Sequence, residues 1–296
     1  MQKTLFIFLL FLLVPALWSC GSSVPTGYHG YLYFARGSYL LRFSLRDASL
    51  SVVTNLGDKS IRHISYFGEN KLLIAELASI GRKKVSRISW VDVKTGQSEA
   101  LYSGVSALYL AHTDVIVYDD GGKLFEVSLT GGSDSDEIFS HRLNKLSALV
   151  ELADGIVLFE TDDAGQRSIH SYDTLTGELQ SLDRLSAVCR LGGAVWIDDL
   201  EQLACRERAS PGNDSVYLLA SLEGNVPGRL ALPAGKQFLA LTYVSKQGAL
   251  ILSERWRSKF TGQEKSAVWA HDIHSGETRR LAKNQNLGSS VVYTDF

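Results

Sequence analysis

The residues whose types and spacing best suit a metal site are His271, Asp272 and His274, in the stretch VWAHDIHSG. Imidazole nitrogens and carboxylate oxygens are common zinc ligands. On a strand, however, alternation places His271 on one face and Asp272 with His274 on the other. Asp272 also begins an Asp-x-x-x-Gly pattern, which is typical of a turn. We therefore predict a turn here and no metal site.

Three pairs of neighbouring acids could bind calcium, which prefers carboxylate oxygens. Asp119–Asp120 and Asp162–Asp163 follow predicted second strands, and Asp198–Asp199 lies in an irregular region. Solvated turns explain these pairs better than metal binding does. The sequence also contains no Gly-x-Ser-x-Gly elbow, no P-loop and no His-Glu-x-x-His. It therefore predicts no catalytic residue and no cofactor.

Cys189 and Cys205 are the only cysteines besides Cys20. They lie too far apart for a Cys-x-x-Cys zinc site. In an oxidising compartment they could form a disulfide. Two buried free thiols, which pack as small apolar groups, are the alternative.

Residues 1–19 read as an export signal. Lys3 precedes the apolar run Leu5–Val14, which is shorter than the roughly 20 residues that a membrane-spanning helix needs. The ending Leu17–Cys20 resembles a bacterial lipobox, whose cysteine is acylated, with palmitate for example, and becomes the mature N-terminus. The resemblance predicts lipidation of Cys20. An ordinary signal peptide cut near Ser19 or Ser23 is the alternative.

Residues 20–27 then form the lipidated cysteine and a short flexible tether, and residues 28–296 form the folded domain. By resemblance to Gram-negative lipoproteins, Gly21 after the cysteine favours sorting to the outer membrane if the host has two membranes. The formal net charge of −2 gives no reason to expect nucleic-acid binding. No second apolar span is present, so we expect membrane contact through the lipid anchor alone.

A repeated unit runs through the domain. An apolar strand followed by Asp-x-x-x-Gly occurs at ISWVDVKTG, IHSYDTLTG and VWAHDIHSG, with three weaker copies ending at Gly132, Gly224 and Ala48. Asp bonds its own backbone two residues on, and Gly supplies the positive φ that closes the turn. Most copies follow two apolar strands joined by a tight polar turn, which is a hairpin signature. Each unit, of about 46 residues, is thus predicted to be a four-stranded antiparallel meander.

The first unit has only three predicted strands, at Tyr31–Ala35, Tyr39–Leu45 and Leu50–Leu56. It lacks the inner strand that opens the other units. The segment SSVVYTDF, Ser289–Phe296, has the β-branched and aromatic residues of such a strand. We predict that it completes the first unit and closes a ring.

Six such units predict an all-β fold, a six-bladed β-propeller of four-stranded antiparallel blades. Seven blades, with the irregular region around Cys189–Glu207 split in two, and a β-sandwich remain as alternatives. No window combines helical periodicity with caps at both ends, so no helix is predicted. The turn motifs and their layout resemble TolB-like six-bladed propellers, including the propeller domains attached to prolyl oligopeptidases. This resemblance covers nearly the whole domain and implies architecture only.

In a propeller, the loops between second and third strands share a face with the connections between blades. Two of these loops are predicted to be long and to carry cationic and aromatic residues. Long loops on a rigid scaffold often bind partners, and Trp and Arg are enriched at interface hot spots. The candidate binding residues are Arg82, Lys83 and Lys84 in the second unit, and Arg255, Trp256, Arg257, Lys259 and Phe260 in the sixth.

The sequence thus favours a non-enzymatic, lipid-anchored propeller that binds a protein partner in the bacterial cell envelope, facing the periplasm. The alternative is an enzyme, or a protein that binds a carbohydrate or small ligand, working through the central funnel. Such sites usually need converging polar groups on the inner strands. His63, Glu151 and Asp295 are the few noted there.

Overall fold

The structure, a computed structural model, describes residues 27–80, 83–130, 135–140, 145–152, 155–163, 165–208, 216–283, 287 and 290–295. The predicted export signal and Cys20 lie outside the described residues. Within these ranges no helix has the length and apolar character needed to cross a membrane.

The described strands form six four-stranded antiparallel sheets, and each is one blade. Blade one contains β24 (Val291–Thr294), β1 (Tyr31–Arg36), β2 (Tyr39–Ser44) and β3 (Leu50–Asn55), from inner to outer strand. Blade two contains β4 (Ser60–Tyr66), β5 (Lys71–Ile80), β6 (Lys83–Asp92) and β7 (Ser98–Tyr102). Blade three contains β8 (Ser106–Leu110), β9 (Val115–Asp119), β10 (Lys123–Ser128) and β11 (Asp136–Ser140).

Blade four contains β12 (Lys145–Glu151), β13 (Ile156–Asp163), β14 (Gln166–Asp173) and β15 (Leu179–Ser181). Blade five contains β16 (Cys189–Ile197), β17 (Gln202–Glu207), β18 (Tyr217–Ala220) and β19 (Gly228–Arg229). Blade six contains β20 (Phe238–Val244), β21 (Ala249–Arg257), β22 (Glu264–Asp272) and β23 (Thr278–Lys283).

The inner strands form a closed ring, because each of β4, β8, β12, β16, β20 and β24 contacts the next and β24 contacts β4. The prediction of a six-bladed propeller is therefore confirmed, and the alternatives of seven blades and a sandwich are wrong. We label the strands of each blade A to D from inner to outer. Since the meanders alternate in direction, the B–C hairpins and the connections between blades lie on one face, which we call the upper face. The A–B and C–D turns lie on the lower face.

The predicted Asp-x-x-x-Gly turns join third to fourth strands. The carboxylate of Asp92 accepts hydrogen bonds from the backbone N–H groups of Lys94 and Thr95, each at 2.8 Å. Gly96 closes the turn with φ +73° and donates its N–H to the Asp92 carbonyl. The turns at Asp173 and Asp272 have the same bonds. These turns fix the length of each outer hairpin.

The core is divided among the interfaces between blades. Each pair of neighbouring blades buries its own apolar cluster, and the ring has six such clusters. Between blades six and one, for example, Leu32 and Phe34 pack with Val244 and Ile251. Each sheet therefore buries both of its faces only when both neighbouring blades are present.

Strand β24 supplies the missing inner strand of blade one, as predicted. Val291, Val292, Tyr293 and Thr294 pair with Phe34, Tyr33, Leu32 and Tyr31 in turn. Ser290 adds a tie to blade two, because its hydroxyl oxygen accepts the Ile64 N–H at 2.7 Å. Backbone hydrogen bonds from the end of the chain thus close the ring at its beginning.

The prediction of no helix is wrong at one place, where α1 (Asp183–Val188) connects blades four and five. This helix has 6 residues, fewer than two turns, and no side chain caps its start. It is held by packing, since Leu185 is buried and the Ser186 hydroxyl oxygen accepts the N–H of Ile169. Sequence periodicity cannot detect so short a segment.

Cys189 and Cys205 form a disulfide in the structure, between β16 and β17 of blade five. Their Cα atoms are 5.6 Å apart, and both residues are fully buried. The bridge lies in the apolar cluster between blades four and five. It therefore joins the inner strand of blade five to its neighbour inside the core.

Candidate functional site

Among the described residues, two B–C hairpins rise above the upper face. Strand β5 continues past its last pairing with the inner strand, and Ala78–Ile80 pair only with β6. In blade six, Arg255–Arg257 continue past the inner strand in the same way and pair with β22. Three residues add about 10 Å of strand. We call residues 78–80 with 83–85, and residues 255–266, the raised hairpins.

The raised hairpins belong to blades two and six, which are the two neighbours of blade one. The corresponding hairpin of blade one is short. Blade one turns from β1 to β2 through Gly37 and Ser38 alone. The carbonyls of these two residues accept the backbone N–H groups of Ile61 and Leu56, so the turn lies against the connection to blade two. The result is a depression above blade one, which we call the saddle.

The tip of the blade six hairpin exposes a mixed aromatic and cationic surface. Phe260 is fully exposed, and Trp256 is 36% exposed. Arg255, Arg257 and Lys259 are also exposed. The tip is nevertheless ordered by local bonds, since Arg257 Nε donates to the Gly262 carbonyl at 2.7 Å.

The structure corrects the prediction of long loops. Arg255, Trp256 and Arg257 belong to strand β21, Lys83 and Lys84 belong to β6, and only Lys259 and Phe260 lie in a turn. Strand alternation continues through these polar residues, so the hairpins are stiffer than loops. Lys84 is exposed, whereas Arg82 and the side chain of Lys83 lie outside what the structure describes.

The six inner strands enclose an axial channel of about 980 Å³. Six Arg, His, Asp and Glu side chains of the described residues line it: Arg62, His63, His112, Asp119, Glu151 and Asp198. By strand direction, Arg62, His63 and Asp119 lie in the upper part, and His112, Glu151 and Asp198 lie near the lower mouth. The described lining of the channel therefore has three carboxyl groups and one arginine.

Burial shifts the pKa of four of these groups, and for Asp198 burial and then the neighbouring Asp199 charge raise the pKa. Enclosure by the channel wall lowers the pKa of His63 to about 4, so this imidazole is neutral at pH 7. Glu151 is reached by water, but protein atoms surround it on most sides, and this poor hydration together with the nearby Asp198 charge raises its pKa to about 7. Burial raises the pKa of Asp119 to about 6.

Of the inner-strand residues noted in the sequence, His63 and Glu151 line the channel, whereas Asp295 does not. Asp295 is exposed and pairs with Lys246 on the surface. Arg62 was missed because a β-bulge between Ile61 and His63 breaks the alternation of β4, so that both Arg62 and His63 line the channel.

The residues first considered for metal binding are used otherwise. His271 is buried, and its Nδ1 lies 2.8 Å from the Thr278 hydroxyl. Asp272 accepts the N–H groups of His274 and Ser275 in the turn. Among the described residues, no three His, Cys, Asp or Glu side chains are grouped so that they could hold a metal ion.

Solved structures share this fold. No family model and no curated protein matches the sequence. A chain of the nidogen–laminin complex has 12% identity and a TM-score of 0.61, over 86% of this chain and 93% of that one. A putative TolB from Agrobacterium tumefaciens has 11% identity and a TM-score of 0.58, over 90% and 98%. An oligogalacturonate lyase in complex with manganese has 14% identity and a TM-score of 0.53, over 83% and 75%.

The predicted resemblance to TolB-like propellers is thus confirmed at the level of the fold. The three structures are a chain of a protein complex, a lyase and a putative TolB, and at these identities the likeness extends no further than architecture.

Proposed function

We propose that this chain is a non-enzymatic β-propeller, lipid-anchored in the bacterial cell envelope, that binds a protein partner through the raised hairpins. The observation that carries the proposal is the saddle, which lies between the two raised hairpins. A fully exposed Phe260 beside Trp256 has no packing role in the domain and is typical of a binding surface.

The charge of the hairpins indicates the kind of surface that would bind. Lys84, Arg255, Arg257 and Lys259 are all exposed cations on the raised hairpins, with Lys265 beside them, and Glu264 is the exposed acid among them. An acidic protein surface with an apolar spot for Phe260 complements this arrangement. Charge complementarity would steer the encounter and fix its orientation.

The envelope location rests on the sequence and on the disulfide. The lipobox-like ending at Cys20 supports lipidation, and the position after it, Gly21, supports the outer membrane in a two-membrane host. A buried Cys189–Cys205 bridge is typical of proteins that fold in an oxidising compartment. The nidogen–laminin complex contains a chain of this fold, which supports a role in protein binding.

A second candidate function is binding of a small ligand in the axial channel, which its volume and acidic lining favour. A cavity of this size is large enough for a small organic molecule. A glycan would call for hydrogen-bonding side chains along the lining, and the described lining offers Tyr66, Trp196 and Tyr243 besides its charged groups.

The hairpin surface is tested by replacing both Trp256 and Phe260 with alanine. The partner would be captured by crosslinking the intact lipidated protein in its envelope and purifying it. We expect the double variant to lose at least 30-fold in partner affinity, because aromatic anchors at hot spots contribute about 2 kcal/mol or more. Stability should change little, since both side chains are exposed.

The matched control is Leu175→Ala, which removes a 70% exposed apolar side chain from a C–D turn on the lower face. This variant should capture the partner as the wild type does. If the Trp256 and Phe260 double variant captures as much partner as the wild type, the raised hairpins are not the binding surface.

The anchor is tested separately with Cys20→Ala. We expect this variant to leave the membrane fraction and to be recovered as soluble protein, because no other described or sequence-predicted segment of the mature chain would hold it in a bilayer. Fractionation with immunoblotting measures this. A variant that stays with the membranes would contradict the lipoprotein assignment.

A further inference from the structure

Four carboxylates are buried among the described residues: Glu76, Asp119, Glu160 and Glu254. A buried carboxylate is costly unless a cation compensates its charge. Three of the four have one. Glu76 pairs with Lys59 at 2.8 Å, Glu254 pairs with Lys236 at 2.8 Å, and Glu160 lies 3.7 Å from Arg167.

Asp119 is the exception among the described residues. It is 2% exposed and makes no ion pair. Its Oδ1 accepts the N–H of Gly121 at 2.6 Å, which closes the turn after β9. Asp119 is also the member of the four that lines the axial channel. Within the part of the chain that the structure describes, Asp119 therefore lacks a counter-ion and lines a channel through which a cation could reach it.

We propose that Asp119 is the recognition group of a binding site in the upper part of the axial channel for a primary ammonium group. The argument for this site uses the geometry of the channel and none of the residues of the raised hairpins. The ammonium could belong to a small amine or to a lysine side chain of a bound protein, and the chemistry at Asp119 is the same in both cases.

The geometry favours an ammonium over other cations. Because Oδ1 is already occupied by the Gly121 N–H, a guanidinium would lose the bidentate pairing that it prefers. A divalent metal needs several ligands, and the described residues provide no such group. An ammonium needs one strong acceptor and can turn its other N–H groups toward channel water.

The other charged and titratable groups of the channel permit this binding. His63 is neutral at pH 7, and Glu151 and Asp198 add negative charge near the lower mouth. Arg62 is the cation of the described lining, and it is not among the charges that shift the pKa of Asp119. Asp120 is exposed beside Asp119 and bonds the backbone of its own turn.

The probe is n-butylammonium chloride, titrated into the folded full-length protein against sodium chloride at equal ionic strength. Binding is followed by backbone amide chemical shifts. We expect one saturable site that is weakened at least tenfold by Asp119→Asn, because the amide keeps the acceptor for Gly121 but loses the charge. The matched variant Asp120→Asn removes the same charge one residue away and should bind as the wild type does.

Two further measurements keep the test decisive if Asp119→Asn folds poorly. Binding to the wild type should weaken about tenfold between pH 7 and pH 5, because the carboxyl takes up a proton around its pKa of about 6. Arg62→Gln should bind the probe at least as tightly as the wild type. Absence of saturable binding in the wild type, or equal binding by Asp119→Asn, overturns the site.

Partner capture by the same variants identifies the source of the ammonium. If the probe binds and Asp119→Asn still captures the protein partner, the ligand is a small amine. If the probe binds and capture is also lost, a lysine of the partner enters the channel. If the hairpin variants capture the partner as the wild type does, the proposed function is contradicted. The result of the amine titration does not depend on that outcome.

Discussion

Truncation of the chain from Ser290 onward should abolish cooperative unfolding. The deletion removes β24, and with it the backbone partners of Tyr31, Leu32, Tyr33 and Phe34. It also uncovers the apolar clusters on both sides of blade one, to which Val291, Val292 and Tyr293 contribute. Because a propeller buries its sheets only as a closed ring, the loss should approach the whole stability of a domain, about 5–15 kcal/mol. Circular dichroism during heating measures this.

A point substitution tests the same closure without shortening the chain. Gly30 has φ +90°, and a Cβ there would lie 2.4 Å from the Tyr293 ring and 2.6 Å from the Thr294 carbonyl. Gly30→Ala should therefore push β24 off β1. Gly37→Ala is the control, since its φ is +63° and a Cβ there would meet open space. It should cost only about 1 kcal/mol from backbone strain. A truncated protein that melts like the wild type would contradict closure by β24.

The second large effect is expected from Lys59→Met. The side chain of Glu76 is 0% exposed, and Lys59 is its cation at 2.8 Å. Lys59 Nζ donates to Glu76 Oε1, and Oε2 has no hydrogen-bond partner among the described residues. Removing Lys59 leaves a buried charge uncompensated, which typically costs about 3–5 kcal/mol. Urea unfolding at pH 7 measures the free energy of unfolding.

Lys246→Met is the matched control, because Lys246 and Asp295 form an ion pair whose side chains are 72% and 48% exposed. Exposed pairs contribute about 0–1 kcal/mol. The double variant Lys59→Met with Glu76→Leu should recover most of the loss, since it removes the buried charge along with its partner. If Lys59→Met costs no more than Lys246→Met, the Glu76 ion pair is not needed for stability.

The sequence allowed the architecture to be predicted because its signals are local. Asp92, Asp173 and Asp272 each bond the backbone two and three residues on, so the turns are encoded within five residues. Closure was predictable because the first unit lacks a strand and Val291–Thr294 have the residues of one. Both inferences need only strand and turn chemistry.

The sites were less predictable because their geometry depends on neighbouring strands. A β-bulge between Ile61 and His63 places Arg62 in the channel. The bulge is a shift in the pairing of β4 with β5, so the sequence of β4 alone does not reveal it. The hairpin of blade six was predicted as a loop, since Arg255 and Arg257 look like solvated loop residues although they continue β21. That Asp119 has no ion-pair partner among the described residues depends on where the cations of other segments lie, and no short motif encodes that.

The central claim is that a protein partner binds over the raised hairpins, and site-specific photocrosslinking tests it most directly. A photoreactive residue would replace Phe260 on the blade six hairpin or, as the control, Leu175 on the lower face. Each protein would be irradiated in the native envelope as the intact, lipidated form. We predict one stoichiometric crosslinked protein from position 260 and none from position 175. Crosslinks of equal yield from both positions, or none from position 260, would contradict the proposed binding surface.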